Sequence, residues 1–221
     1  MQFKNSFTQL LNIEHPIIMA PMFLVSNLEM IKAGMKSGIM AVFPSLNFRK
    51  EGELEQVIDS LIQFKNIIQT KGDFGVNLIV QKSNPLYQKH LQICADKKAP
   101  FYITSLGNPS EVIEKAHSYG AKVFCDVTNL AHAQKCFELG CDGFIAVGQG
   151  AGGHAGPNPL QVLIPSLKNK FPNLPIIGAG ALQMAKVCFQ LWLLVLKVFL
   201  LGLALSLVKR QALTKPIKWQ W

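Results

Sequence analysis

The sequence lacks the paired cysteine spacing of a metal site or of a disulfide framework. Its five cysteines, an odd number, fall in apolar or helical contexts: Cys94, Cys125, Cys136, Cys141 and Cys188. The closest pair, Cys136 and Cys141, has no second pair with which to complete a zinc site. Four histidines are scattered without the spacing of metal ligands: His15, His90, His117 and His132. We therefore expect no metal site and a reducing, cytoplasmic setting.

Several common targeting and catalytic motifs are also missing. The N-terminus, MQFKNSFTQLLNIEHPI, has no unbroken apolar stretch and no small-residue cleavage site, which argues against export. Neither a GxSxG elbow nor a phosphate-cradling GxxxxGKS/T loop is present.

Acidic residues are scarce, because 13 Asp and Glu oppose 22 Lys and Arg for a net charge of +9. Such an excess raises the question of nucleic acid or a membrane surface. However, residues 183–221 hold six of the basic residues and no acidic one, which leaves 16 basic against 13 acidic residues, or +3, elsewhere. The body therefore has an ordinary charge, and we expect no nucleic-acid partner.

What is present is a regular alternation of strand-like and helix-like segments. With 221 residues and 49% hydrophobic content, the chain can bury one sizeable core. Short apolar runs predict strands at 15–20, 39–43, 74–80, 101–105, 121–127, 143–147 and 174–180. Helices are predicted at 26–36, 54–66, 85–95, 109–118, 131–139 and 160–170. This spacing favours an α/β fold of the (β/α)8 TIM-barrel type over 1–182, with about seven of its eight units. An open doubly wound sheet is the alternative.

In such a barrel, reactive groups lie at the carboxyl ends of the strands. Ala20, Pro21 and Met22 follow the first strand, Asn77 is the one polar interior residue of the third, and Asp126 lies near the end of the fifth. A polar residue at a strand end is also commonly a turn or cap partner.

Glycines are concentrated after the sixth and seventh strands. The segment GQGAGGHAGPN, residues 148–158, could bring backbone N–H groups close to an anion or a planar ring, although a flexible loop is the alternative. It carries His154, and imidazole suits proton transfer near neutrality, although a surface histidine is again the alternative. Gly178 and Gly180 end the last strand, where barrels often hold phosphate and where a tight turn would also need glycine.

In chain order, the segments HPIIMAPM, FGVNLIV, CDGFIAVGQGAGGHAG and PIIGAGAL resemble the nitronate monooxygenase (2-nitropropane dioxygenase) family over roughly residues 10–182. Enzymes of that family hold FMN at the top of a barrel and oxidise alkyl nitronates with dioxygen. The element AGGHAG, residues 151–156, is the most specific part of the match.

The resemblance implies roles for individual residues. His154 matches the family's catalytic histidine, which would deprotonate a nitroalkane or orient its nitronate. Asn77 would hydrogen-bond the isoalloxazine ring. The other residues implied in FMN binding are Ala20, Pro21 and Met22 along the ring, and Gly152, Gly153 and Gly180 near the ribityl phosphate. The family often has glutamine at the position aligned with Val147, whereas this chain has Gln149 two residues later, so Gln149 is a candidate ligand. An FMN- and NAD(P)H-dependent enoyl reductase of the same barrel group is the alternative.

The pattern stops after Leu182, and residues 183–221 form an apolar, basic tail. Val187–Val208 is long enough to cross a bilayer and precedes Lys209 and Arg210, which would suit a membrane anchor of a non-catalytic barrel fragment. The charge of Lys197 in its centre argues against that interpretation.

A reading-frame shift near Gln183 explains more. Codons can be chosen for residues 190–199 so that the frame two bases later reads ALALGAEGV, and for residues 199–210 so that it reads SIGTRFIASKE. The first segment resembles the last helix of the family, and the second resembles its last, phosphate-binding strand. On this hypothesis the tail replaces the last unit, the barrel cannot close, and an exposed apolar stretch predicts aggregation or membrane adhesion.

Overall fold

The computed structural model describes residues 5–180 and 199–201. Within them, parallel strands form a closed barrel in the order β1 to β8. The strands are β1 (Ile17–Met19), β2 (Met40–Pro44), β3 (Asp73–Ile79), β4 (Phe101–Ser105), β5 (Lys122–Val127), β6 (Gly143–Val147), β7 (Ile176–Ala179) and β8 (Phe199–Leu201). The helices are α1 (Ser6–Leu11), α2 (Leu28–Lys36), α3 (Glu53–Ile67), α4 (Tyr87–Asp96), α5 (Ser110–His117), α6 (Leu130–Glu138) and α7 (Leu160–Lys170), with a 3-10 helix at Ser45–Asn47.

The predicted alternation is confirmed for β1–β7 and α2–α7, and the bounds of β4 and β6 agree with the sequence prediction. Local signals set several boundaries. Asn27 begins α2 by accepting a hydrogen bond from the Met30 N–H at 2.9 Å, and Asn129 begins α6 in the same way with His132 at 2.8 Å. These caps place each helix directly after the loop that leaves the preceding strand.

Helix α1 was not predicted from the sequence. Asn5 and Thr8 form a capping box, in which each side chain accepts a hydrogen bond from the other residue's backbone N–H. Phe7 packs edge-on against Phe124 with ring centroids 5.9 Å apart, and both belong to the core inside the barrel. Helix α1 therefore covers the end of the barrel at which the strands begin. Six residues are too few to show a helical period in the sequence.

Strands β1–β7 are mostly buried on both sides, as a parallel sheet covered by helices requires. Alternate residues such as Met40, Val42, Ile103 and Ile145 fill the inside of the barrel. The residues between them, such as Ala41, Phe43 and Phe144, pack outward against the helices. The same alternation decides which side chains reach the mouth, the end of the barrel at which the strands finish.

The expectation that the barrel cannot close is corrected by β8. This strand pairs in parallel with β1 on one side and with β7 on the other. Three apolar residues are enough to pair with both edges, because the ladder uses backbone groups and makes little demand on side-chain identity. Of the eighth unit, the described residues include this strand alone.

Most of the tail, and with it the interpretations of residues 183–221 as an anchor or a frameshift product, lies outside the described residues. Among the helices that the structure does describe, none has the length and apolar character needed to cross a membrane.

Candidate functional site

A row of three polar side chains crosses one side of the barrel mouth. Asn77, Ser105 and Asp126 come from the consecutive strands β3, β4 and β5, and the alternation of each strand turns all three inward. The Asn77 amide donates to Ser105 Oγ at 2.8 Å, and Ser105 Oγ donates to Asp126 Oδ2 at 2.5 Å. The predicted residues Asn77 and Asp126 are thus brought together by a third residue between them.

The carboxyl group of Asp126 is held in an environment that disfavours its charge. Burial raises its pKa to about 6, against the lowering effects of the Ser105 hydrogen bond and of the positive charge of His154. A shifted carboxyl group in the mouth of a barrel is typical of a functional position. The loop carrying His154 passes close to this end of the polar row, because it follows β6, which pairs with β5, and its Asn158 side chain donates to Thr128 O just beyond β5.

The predicted glycine-rich loop, residues 148–158, is fixed at its base and open at its tip. At the base, Gly156 N–H donates to Gly148 O at 3.2 Å, Gln149 N–H donates to Asn158 O at 2.9 Å, and the Asn158 side chain donates to Thr128 O at 3.0 Å. At the tip, no backbone N–H from Gly152 to Ala155 donates to another described residue. These free N–H groups are the kind that bind an anion.

The geometry of the tip explains the glycine at position 153 and leaves space around its neighbour Gly152. Gly153 has a φ of 78°, a left-handed conformation that favours glycine. A Cβ on Gly152 or Gly153 would meet no atom within 4 Å, so both backbones face open space. His154, beside them, is exposed. The loop therefore presents an imidazole and unpaired N–H groups on the side of the mouth nearest Asp126.

The segment after β1 forms another part of the rim. Ala20 is buried in the inner core, whereas Pro21 and Met22 are half-buried. Met22 N–H donates to Ser26 Oγ at 3.0 Å, and Met22 O accepts from the Asn47 side chain at 3.1 Å. Beyond Met22, three apolar side chains remain exposed: Phe23, Leu24 and Val25.

The structure places the remaining candidates less favourably. Gly178 lies on the helix-facing side of β7, since its neighbours Ile177 and Ala179 are the ones that face inward. A Cβ on Gly180 would come within 2.8 Å of Leu160 Cδ1, so helix packing already explains this glycine. Gln149 is exposed at the start of the loop. Their roles as ligands stay predictions.

Four observations fit the mouth to a flavin mononucleotide. Asn77 offers a carboxamide to a planar ring, the loop tip offers free N–H groups to a phosphate, the glycines leave space beside the backbone, and the inner wall is apolar. The residues that carry this fit come from β1, β3 and the loop after β6, which the fold gathers at one end.

Sequence reasoning missed Ser105. The signal was available, because Ser105 is the last residue of the predicted fourth strand and has the same inward phase as Phe101 and Ile103. A hydroxyl at that place was not distinguished from a turn residue. Only the barrel shows that it lies between Asn77 and Asp126.

Comparison with known proteins places this mouth in a family. The sequence pattern described as nitronate monooxygenase matches residues 46–187, which is more than half of the chain. The match includes Asn77, Ser105, Asp126 and the whole glycine-rich loop.

Curated relatives are more distant and longer. The chain is 25% identical over 182 residues to a Mycobacterium tuberculosis protein named (3aS,4S,5R,7aS)-5-hydroxy-7a-methyl-1-oxo-octahydro-1H-indene-4-carboxyl-CoA dehydrogenase, covering 81% of this chain and 49% of the relative. It is 24% identical to a Staphylococcus aureus protein named "Probable nitronate monooxygenase", covering 81% of this chain and 61% of the relative. The chain spans about half the length of the first relatives it matches.

Solved structures agree with the fold. FabK from Thermotoga maritima superposes with a TM-score of 0.80 at 28% identity, covering 90% of this chain and 61% of that one. A nitroalkane oxidase from Streptomyces ansochromogenes gives a TM-score of 0.77 at 20% identity, covering 90% of this chain and 67% of that one, a likeness of fold alone.

Proposed function

Because the chain belongs to the nitronate monooxygenase family, we propose that it is an FMN-dependent oxidoreductase that oxidises alkyl nitronates, or the parent nitroalkanes, with dioxygen. The observation that carries the proposal is the family match over the barrel mouth, where His154 lies near the row formed by Asn77, Ser105 and Asp126. We further propose a reducing, cytoplasmic setting, in which the four buried cysteines of the described residues remain free thiols.

His154 is the proposed catalytic residue. Its imidazole removes a proton from the carbon beside the nitro group, or orients a nitronate that arrives as an anion. The nearby Asp126 carboxylate stabilises the imidazolium that forms. The exposed position of His154 lets substrate reach it from solvent.

The other residues of the mouth position the cofactor. Asn77 and the segment Ala20–Met22 would hold the ring, while the backbone at Gly152 and Gly153 would hold the phosphate. FMN, when bound, supplies the transfer of electrons to dioxygen. The apolar inner wall excludes water from the ring's side of the mouth.

A single variant tests the catalytic assignment. His154→Asn removes the base and is expected to slow oxidation of a neutral nitroalkane by about 10²- to 10⁴-fold, measured as oxygen consumption. A preformed nitronate needs no deprotonation, so its oxidation should fall less. His15→Asn is the control, since His15 is near the start of β1, at the opposite end of the barrel. Unchanged oxidation of the neutral nitroalkane by His154→Asn would remove His154 from the mechanism.

The enoyl reductase is a second candidate. It is favoured by the apolar rim of Phe23, Leu24 and Val25, which suits a substrate with a long apolar part. Anaerobic addition of NADH or NADPH distinguishes the two. Bleaching of the flavin absorption by either nucleotide supports the enoyl reductase. Bleaching by a nitronate alone supports the nitronate-oxidising enzyme.

A further inference from the structure

Asn77 uses its amide nitrogen twice within the protein. Nδ2 donates to Ile103 O at 3.2 Å and to Ser105 Oγ at 2.8 Å. The first bond identifies which end of the carboxamide is the nitrogen, because a backbone carbonyl can only accept and must therefore face an N–H group. Both N–H groups are then occupied.

Asp126 fixes the direction of the second bond independently. The hydroxyl of Ser105 has one proton, and it donates that proton to Asp126 Oδ2 at 2.5 Å. An ionised carboxylate can only accept, so Ser105 Oγ must meet Asn77 as an acceptor. The chain of hydrogen bonds therefore runs from Asn77 through Ser105 to Asp126, and a flipped carboxamide would place two acceptors against each other.

The consequence is that the Asn77 oxygen is free to accept. Among the described residues, no donor reaches Asn77 Oδ1, although the residue is only 7% exposed. This oxygen is also not sealed in the interior, because the buried unpaired side-chain atoms of the described part are Ser45 Oγ and His90 Nδ1. Since Asn77 faces inward near the end of β3, its oxygen is open to the mouth.

We propose that Ser105 is a positioning residue that turns the carboxamide oxygen of Asn77 into the mouth, where it accepts a hydrogen bond from the N3–H group of bound flavin. This inference rests on the proposed FMN site. The oxidised isoalloxazine ring has one N–H donor, at N3 between two carbonyl groups, so an acceptor-only partner recognises that edge. With Ser105 absent, only the longer bond to Ile103 O, at 3.2 Å, holds this orientation, so the carboxamide can turn more readily and offer its N–H groups instead.

An analogue of the cofactor tests the direction of this hydrogen bond. Wild-type apoprotein, prepared from the 221-residue chain, is titrated with FMN and with 3-methyl-FMN, which lacks the N3–H donor. We expect FMN to bind at least about tenfold tighter, since the methylated ring leaves the Asn77 oxygen unpaired. Ser105→Ala should reduce this ratio to less than about threefold, and Ser105→Thr, which retains the hydroxyl, should restore it.

A matched control separates positioning from general damage to β4. Thr104→Val removes a hydroxyl from the neighbouring residue on the opposite, outward side of the strand, and it should keep the wild-type ratio. A Ser105→Ala protein that discriminates between the two flavins as well as the wild type does would overturn the proposal.

A measurement without flavin keeps the two proposals apart. In the nuclear magnetic resonance spectrum of the apoprotein, both Asn77 side-chain N–H protons should exchange slowly with water, and at least one should exchange faster in Ser105→Ala. Asn77→Asp identifies the signals by removing them. If the wild type binds neither flavin, the FMN site itself is wrong, and equal exchange in wild type and Ser105→Ala overturns the positioning role as well.

Discussion

At the scale of single residues, Asp126 lies half-buried between Ser105 and the loop of His154, and burial raises the pKa of its carboxyl group to about 6. Because the pKa of this carboxyl group in the folded protein exceeds its ordinary value of 3.8, the folded protein favours the neutral acid. The resulting stabilisation is fully present below pH 4 and is lost as the pH rises through 6. At neutral pH the carboxylate therefore works against the fold.

Asp126→Asn should raise the free energy of unfolding at pH 8. The rise of the Asp126 pKa from 3.8 to about 6 corresponds to a gain in stability of at most about 3 kcal/mol, at ~1.4 kcal/mol for each pKa unit. The gain is smaller where water reaches the half-buried carboxyl group. The gain should shrink towards pH 4, where the wild-type carboxyl is itself neutral. Urea unfolding between pH 4 and pH 8 measures both quantities.

Asp142→Asn is the contrasting variant. Asp142 accepts hydrogen bonds from the Lys122 side chain at 3.0 Å and from the Val123 N–H at 2.9 Å. Lys122 and Val123 begin β5, the strand that carries Asp126 near its other end. Loss of the Asp142 carboxylate should lower stability at pH 8. A destabilised Asp126→Asn protein at pH 8 would show that the carboxylate supports the fold, contrary to our expectation.

At the scale of elements, the glycine-rich loop depends on glycine at its base more than at its tip. A Cβ on Gly156 would lie 2.2 Å from Val147 O and 3.1 Å from Thr128 Cγ2. A Cβ on Gly152 would meet nothing within 4 Å, and Gly152 is not among the residues of positive φ. The two glycines are thus a matched pair within one loop.

Gly156→Ala is expected to lower the free energy of unfolding by about 1–3 kcal/mol, because the backbone must move to accept the methyl group. Gly152→Ala should leave stability within about 0.5 kcal/mol of the wild type. Thermal unfolding followed by circular dichroism compares them. Equal stability of the two variants would mean that the base of the loop is not held as the hydrogen bonds of Gly148 and Gln149 indicate.

The elements also show why the strands could be predicted from sequence and the site only in part. Each of β2–β7 is an apolar run bounded by turn residues, and burial on both sides makes such runs continuous. Asn77 and Asp126 were identified because a polar residue is conspicuous in such a run. Ser105, at the edge of its run, resembles an ordinary turn residue until the neighbouring strands are in place.

At the scale of the whole molecule, two observations bear on the tail. The family match ends at residue 187, just after the position at which we propose that the reading frame shifts. The structure places Phe199–Leu201 in the eighth strand position, and these codons lie where the shifted frame would pass from ALALGAEGV to SIGTRFIASKE.

We predict that the gene, read two bases later from about codon 183, encodes a segment similar to GTRF. Sequencing that region tests it directly, and a shifted frame without such a segment would end the hypothesis. A protein with the restored frame should remain in solution at concentrations where the 221-residue chain aggregates, because the apolar run Val187–Val208 is replaced. Light scattering of the two purified proteins measures the difference.

The sequence by itself determined the class of this protein. Alternating apolar runs and helical periods specify a parallel barrel, because each element must bury its own apolar side, and the AGGHAG segment identifies the family. Each of these signals lies within a short stretch of the chain, so it can be recognised without knowing which distant residues are in contact.

Only the tertiary structure decided how the mouth is assembled. It brought Ser105 between Asn77 and Asp126, directed Gly178 towards the helices, assigned Gly180 to packing against Leu160, and closed the ring with β8. Each of these depends on a contact between distant parts of the chain. Such contacts exist only after the strands have taken their register, since a shift of one residue would turn every side chain to the other side of the sheet.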